Sequence, residues 1–122
     1  MKKTNIVVLG ASAKSDRYSN QAVALLLENG YNTIPVHPSG ISVNGLKTYK
    51  HLSAISIPID TLSIYVNASL SSSMKNEILK LFPSRIIFNP GTENDELEEI
   101  CREKNIYVER ACTLVLLKTN SF

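Results

Sequence analysis

The chain has 122 residues, a length that fits one domain with its own core and argues against a second domain of comparable size. Its 13 basic and 11 acidic residues give a net charge of +2, which lacks the strong positive charge of a nucleic-acid-binding surface. No apolar stretch approaches the roughly 20 residues of a membrane span, and residues 6–9 are too short for the core of a signal peptide. We therefore expect a single cytoplasmic domain over residues 1–122, with neither a nucleic acid nor a membrane as partner.

The cysteines and histidines give no sign of a metal site. Cys101 and Cys112 are the two cysteines, and in a chain without secretion signals such a pair is more often two free thiols than a disulfide. The sequence has no CxxC or HExxH motif and no cluster of His and Cys, so no bound metal is predicted.

Short apolar runs alternate with helical patterns along the chain. Brief apolar runs predict strands at residues 6–9, 33–36, 62–66, 85–88 and 106–108. Apolar residues at helical spacing predict helices at residues 20–29, 69–82 and 95–104. Residues 41–60 are less regular, with a short extended piece at 46–49 and one helical turn at 52–55. Residues 114–117 are either a last strand or a helical turn.

The succession of strand, helix and strand is typical of βαβ units and a parallel sheet. The predicted fold is α/β, a Rossmann-like, doubly wound, mostly parallel five-stranded sheet with helices on both faces. In such sheets the ligand lies beyond the carboxyl ends of the strands, at the point where the strand order reverses. The loops predicted to meet there are residues 10–19, 37–40, 67–69, 89–94 and 109–113.

The loop after the first predicted strand carries the clearest functional signal. It reads Gly-Ala-Ser-Ala-Lys-Ser-Asp-Arg-Tyr-Ser over residues 10–19 and leads into a helix. It offers backbone amides, three hydroxyls and two cations, from Ser12, Ser15, Ser19, Lys14 and Arg17. Such groups suit a ligand with several phosphates, because Arg can hold a phosphate through two parallel hydrogen bonds and Lys acts as a point charge. The alternative is a solvated loop in which Ser19 or Asn20 only caps a helix.

The same loop departs from a dinucleotide-binding fingerprint. The pattern Gly-x-Gly-x-x-Gly would need glycines at two positions that hold Ser12 and Ser15. A nicotinamide cofactor also favours an acidic residue after the second strand, where this chain has His37 and Pro38. Both departures argue against NAD.

Four segments, in order along the chain, carry a family resemblance. They are residues 8–20, which contain Val-Leu-Gly-Ala-Ser-Ala-Lys and Arg-Tyr-Ser-Asn; residues 36–38, Val-His-Pro; residues 88–94, Phe-Asn-Pro-Gly-Thr-Glu-Asn; and residues 111–113, Ala-Cys-Thr. Together they resemble the small bacterial CoA-binding proteins of the Rossmann-like type, whose second strand usually ends in Val-Asn-Pro. More loosely, the pattern is similar to the CoA-binding domain of the succinyl-CoA synthetase α subunit.

This resemblance implies that the ligand is coenzyme A or an acyl-CoA, and it assigns loops to parts of the ligand. The phosphates would be met by Gly10, Ala11, Ser12, Ala13, Lys14, Ser15, Arg17 and Ser19. The adenosine would be bordered by His37, Pro38, Asn67 and Ala68. The pantetheine arm would run along Pro90, Gly91 and Thr92. His37 departs from the family's asparagine, and a turn histidine without a ligand role is the alternative for it.

No catalytic residues can be assigned. Neither His37 nor His51 has a sequence setting that suggests nucleophilic or acid–base work, and turnover in the related ligase uses a phosphorylated histidine of a second domain. Because a fold does not confer activity, we predict a non-catalytic binding or sensing protein rather than an enzyme. The alternatives are a small NAD(P)-dependent or acyl-transfer enzyme that needs a partner subunit, and a regulatory module with a degenerate cleft.

Three narrower hypotheses remain open. Cys112 either forms a mixed disulfide with the thiol of bound CoA or is a small packing residue. Glu93 either acts as an acid or base in the cleft or favours the start of the following helix. An edge strand within residues 41–60 could pair with a second copy in a homodimer.

Overall fold

Residues 4–122, the part of the chain that the computed structural model describes, contain one sheet of five parallel strands. The strands are β1 (Asn5–Leu9), β2 (Asn32–Val36), β3 (Thr61–Ile64), β4 (Arg85–Phe88) and β5 (Tyr107–Arg110), in the spatial order β2-β1-β3-β4-β5. Each neighbouring pair is parallel. The predicted α/β fold is therefore confirmed.

The helices lie on both faces of this sheet. They are α1 (Tyr18–Glu28), α2 (Ala68–Ser73), α3 (Lys75–Leu81), α4 (Asp95–Glu103) and α5 (Thr113–Lys118). Successive residues of β1 point to opposite faces. Ile6 packs with Val23 of α1 and Leu117 of α5, whereas Val7 belongs to the core that contains Ile78 of α3 and Leu97 of α4. Burial on both faces explains why β1 is a continuous apolar run.

The helix predicted over residues 69–82 is two helices that meet at Met74, whose φ of −100° and ψ of 9° interrupt the helical geometry. The serines before it explain the break. The Ser73 hydroxyl donates to the carbonyl of Leu70 at 2.6 Å, and such bonds compete with the helical backbone. Phe82 then takes a left-handed conformation, with a φ of 49°, and Pro83 prevents continuation.

Residues 41–60 contain the predicted helical turn as a single 3₁₀ turn, Leu52–Ala54. The predicted extended piece makes isolated bridges, one of which joins Tyr49 to Val36 at the end of β2. There the His37 amide donates to the Tyr49 carbonyl at 2.9 Å, and the Tyr49 amide donates to the Pro35 carbonyl at 3.0 Å. This segment therefore extends the sheet beside β2. A homodimer through this edge stays a prediction.

β3 and β5 differ most from the predicted strand ranges, and the last segment is a helix. β3 ends at Ile64 instead of residue 66, so Tyr65 and Val66 belong to the loop beyond the sheet. β5 lies over residues 107–110, slightly later than predicted. Residues 114–117 fall within α5. No helix in residues 4–122 combines the length and the apolar character needed to cross a membrane.

Candidate functional site

The strand order reverses between β1 and β3, and Gly10 lies at this switch point directly after β1. Its φ is +89°, and a Cβ placed on it would come within 2.8 Å of Val66 Cγ1. The Gly10 amide donates to the Val36 carbonyl at 2.9 Å, and the Tyr65 amide donates to the Leu9 carbonyl at 2.9 Å. The backbone thus ties together the ends of β1, β2 and β3, where doubly wound folds bind ligands.

A first cavity of about 580 Å³, which we call the basic cavity, opens above the loop after β1. Most of the predicted phosphate residues line it: Gly10, Ala11, Ser12, Ala13, Lys14, Arg17 and Ser19. Ser15 is exposed and does not line it. Lys14 and Arg17 bring two full positive charges, and no lining residue is acidic. The cavity therefore favours an anion.

The serines of this loop hold its shape. The Ser12 amide donates to Ser19 Oγ at 3.1 Å, and the Lys14 amide donates to Ser12 Oγ at 3.1 Å. Asn20 Nδ2 donates to the Ser12 carbonyl at 2.8 Å. Neither Ser19 nor Asn20 is the N-cap of α1, because that position belongs to Arg17, whose side chain makes no capping bond. The loop is thus an ordered turn that presents Lys14 and Arg17.

A second cavity of about 680 Å³, which we call the mixed cavity, adjoins the first. Apolar side chains in it come from Leu52, Val66, Leu70 and Met74. Of the predicted adenosine and pantetheine residues, those that line it are His37, Pro38, Asn67, Pro90, Gly91 and Thr92. Ala68 lines neither cavity; its carbonyl accepts a hydrogen bond from Asn94 Nδ2 at 3.2 Å.

Gly10, His37 and Tyr65 line both cavities, so the two are continuous at the switch point. His37 has a defined hydrogen-bond role. Its Nδ1 accepts from the Ser39 amide at 3.1 Å, so the neutral ring carries its proton on Nε2. The ring can therefore donate one hydrogen bond to a ligand from Nε2.

Tyr65 is a site residue that sequence reasoning missed, because its position appeared to lie inside β3. Its hydroxyl is buried and makes no hydrogen bond within residues 4–122. Burial raises the pKa of Tyr65 to about 12, although the nearby hydroxyls of Thr113 and Ser63 offset part of the shift. Tyr65 is therefore a neutral phenol near pH 7.

A buried polar network supports the loop after β4. Asn89 is 1% exposed, and its Nδ2 donates to Ser63 Oγ at 2.9 Å and to the Ile64 carbonyl at 2.9 Å. Its Oδ1 accepts from the Thr113 amide at 2.8 Å. The Thr92 hydroxyl donates to the Asn89 carbonyl at 2.8 Å. Asn89 therefore connects β3, β4 and the start of α5 beneath the mixed cavity.

Two acidic residues near this loop have structural contacts. Glu93 Oε1 accepts from the Gly91 amide at 3.0 Å, whereas the N-cap of α4 is Asn94. Glu98 is 1% exposed and accepts from Arg110 Nε at 2.9 Å. Arg110 also bonds Asp95, and these carboxylates raise its pKa. The sequence does not reveal the pairing of Glu98 with Arg110, because the two residues are on different elements.

The two cysteines differ in environment. Both are free thiols. Cys101 is fully buried, and burial, reinforced by Glu98, raises its pKa to about 11. Cys112 is half-buried at the N-cap of α5 and lines neither cavity. Residues 4–122 contain no group of three or more His, Cys, Asp or Glu side chains placed to hold a metal ion.

Several known proteins share this architecture. A crystal structure of an uncharacterized protein is 38% identical and superposes over 100% of both chains, with a TM-score of 0.93. A protein from Thermus thermophilus is 27% identical, with a TM-score of 0.88 over 98% of this chain and 91% of its own. The Bacillus subtilis (strain 168) protein YneT is 27% identical over 99 residues, which are 81% of this chain and 73% of YneT.

The fold also occurs within a longer enzyme, and a family assignment follows from the sequence. Acetyl-coenzyme A synthetase 1 from Ca. Korarchaeum cryptofilum superposes on 86% of this chain and 25% of its own, with a TM-score of 0.71. Its 23% identity shows a shared fold alone. A family model described as a CoA binding domain matches residues 4–118. The predicted family is thereby confirmed, and this chain belongs to the CoA-binding domain family.

Proposed function

We propose that this protein binds coenzyme A or an acyl-CoA across the basic and mixed cavities, and that it is a binding or sensing protein rather than an enzyme. The proposal rests on one observation. The basic cavity, whose lining includes two cations and no acidic residue, is continuous with the mixed cavity. Coenzyme A matches this combination, because it has an anionic, phosphorylated adenosine diphosphate at one end and a partly apolar pantetheine arm at the other.

The pyrophosphate of the ligand fits the basic cavity. Lys14 and Arg17 supply the charge, and Arg17 is also the N-cap at the positive end of α1. The ordered turn around Ser12 leaves these side chains exposed. Phosphates near the switch point would therefore meet two cations and a helix N-terminus together.

The pantetheine arm fits the mixed cavity. This arm alternates amide and methylene groups, so it needs both apolar contact and hydrogen-bond partners. Val66, Leu70 and Met74 supply apolar surface there, and Gly91 and Asn67 supply polar groups close by. A volume of about 680 Å³ is within the usual range for small-molecule sites.

Two observations favour ligand binding without catalysis. The Tyr65 hydroxyl, with its pKa raised to about 12, is not a base near pH 7. His37 Nδ1 is held by the Ser39 amide, which leaves only a donor on the neutral ring. The groups where the two cavities meet are therefore suited to hold a ligand rather than to move a proton.

A calorimetric titration with CoA, acetyl-CoA, NAD, NADP and FMN tests the proposal. We expect CoA and acetyl-CoA to bind and NAD not to bind. Arg17→Gln should weaken CoA binding by at least about tenfold, the usual effect of removing one hydrogen bond to a charged group. Lys104→Gln is the matched control, since it removes the same charge from an exposed position that lines neither cavity. Binding of NAD with no response to CoA would contradict the proposal.

A further inference from the structure

The position of β2 indicates where the ribose of a bound nucleotide lies. In doubly wound folds that bind dinucleotides, a residue after this strand meets the ribose 2′-hydroxyl, or an arginine nearby accommodates a 2′-phosphate. The 3′ oxygen is the neighbouring position on the same ribose, so a cation near this strand end can also reach a phosphate attached there. The pyrophosphate lies instead at the N-terminus of the helix that follows β1. Lys14 and Arg17 are in that second place. A cation that recognises a ribose phosphate should therefore lie beside His37, which follows β2.

Lys50 is in that position. The two backbone hydrogen bonds between Tyr49 and the end of β2 place the following residue beside His37 and Pro38. Lys50 lines the mixed cavity together with both of them. Its stem lies against Gly40, where an added Cβ would be 2.9 Å from Lys50 Cε. The absence of a side chain at Gly40, which has a φ of +68°, leaves room for that stem.

The ammonium group of Lys50 is available for a ligand. It forms no ion pair with any residue between 4 and 122. Glu77 lines the same cavity but is not within ion-pair distance of it. The nearby Lys47 differs, because its Nζ lies 5.0 Å from the ring centroid of Tyr49 and it lines neither cavity.

We propose that Lys50 binds the phosphate on the ribose 3′ oxygen of the ligand and thereby makes the site prefer CoA to dephospho-CoA. This inference rests on the proposed function. The three cations then have different roles. Lys14 and Arg17 meet the pyrophosphate, which CoA and dephospho-CoA share, and Lys50 meets the 3′-phosphate, which only CoA carries.

Lys50→Met tests the inference, because methionine keeps most of the apolar stem over Gly40 and removes the charge. Titrations of each variant with CoA and with dephospho-CoA give the ratio of the two affinities. Lys50→Met should weaken CoA binding by at least about tenfold and leave dephospho-CoA binding unchanged. Lys50→Arg should retain the preference for CoA. Lys47→Met removes the same charge outside both cavities and should change neither affinity.

The possible outcomes separate this inference from the proposed function. Equal losses for both ligands in Lys50→Met, or no loss for either, would overturn the role of Lys50 while CoA binding itself stands. A selective loss of CoA affinity in Arg17→Gln would assign the 3′-phosphate to Arg17 instead. A native protein that binds neither CoA nor dephospho-CoA would refute the proposed function, and this inference with it.

Discussion

Gly10 lies against the loop after β3, and any side chain at this position would be unfavourable for two separate reasons. One is the left-handed φ of +89°, and the other is the 2.8 Å approach of an added Cβ to Val66 Cγ1. Val66 lines the mixed cavity, so relief of that contact would displace part of the site. The residue therefore links the stability of the domain to the shape of its cavities.

Gly10→Ala should lower the free energy of unfolding by about 2 kcal/mol or more, because the conformational cost of about 1 kcal/mol adds to the steric one. Chemical denaturation measures the change. Gly30→Ala is the matched control, since Gly30 has a φ of +84° but open space around the added Cβ. Equal losses in the two variants would show that contact with Val66 costs nothing.

Tyr65 lies at the junction of the two cavities with a buried hydroxyl that has no partner within residues 4–122. An unpartnered buried hydroxyl costs free energy, so Tyr65→Phe should leave stability near pH 7 unchanged or slightly higher. The same burial raises the pKa of Tyr65 to about 12, from 10.0. The folded state therefore binds the phenolic proton more tightly than the unfolded chain does.

The pH dependence follows from that difference. Stability from the neutral phenol is fully present below pH 10 and is lost as the pH rises through about 12. Native protein should lose stability more steeply than Tyr65→Phe between these values in denaturation series at fixed pH. If the stability of both proteins fell equally with pH, the raised pKa of Tyr65 would be contradicted. The buried Cys101 titrates in an overlapping range and is present in both proteins, so it cancels in the comparison.

The short helix α2 depends on the hydrogen bond that caps its N-terminus. The Asn67 side chain accepts from the Leu70 amide at 2.9 Å and caps the helix, and Asn67 also lines the mixed cavity. Six residues make an isolated helix marginal, so this cap and tertiary packing hold it. The wall of the cavity near Leu70 therefore depends in part on this side-chain oxygen.

Asn67→Ala should lower the free energy of unfolding by about 1 kcal/mol, the usual cost of losing an N-cap. Amide hydrogen exchange should also increase within α2, where the freed amides become exposed. Asn67→Asp keeps an oxygen in the same place and should retain stability and protection. If both variants lost stability equally, the cap would not be the cause.

Much of the fold could be predicted because each element carries a local signal in the sequence. The apolar runs of β1 and β4 indicate buried strands, and alternation with helices indicates parallel pairing. The break at Met74 could not be predicted, since an apolar stripe continues through it. The hydrogen bond from the Ser73 hydroxyl to the Leu70 carbonyl competes with the helical backbone there, although the apolar stripe continues.

The candidate site could be predicted where its residues are adjacent in sequence. Lys14 and Arg17 share one loop that also shows a recognisable pattern. Lys50 and Tyr65 could not be found in this way. Lys50 comes to β2 through the Tyr49 bridge, which joins residues distant in sequence. Tyr65 enters the site only because β3 ends at Ile64.

The attachment of Tyr49 to the end of β2 has a consequence for how the lining of the mixed cavity can change. The two hydrogen bonds join main-chain atoms, so they set the place of residue 50 whatever side chain it carries. Residue 50 is exposed and is not part of either apolar core. Mutations can therefore vary the group that residue 50 presents to the mixed cavity while the cores stay intact, so the lining of this cavity can evolve separately from folding.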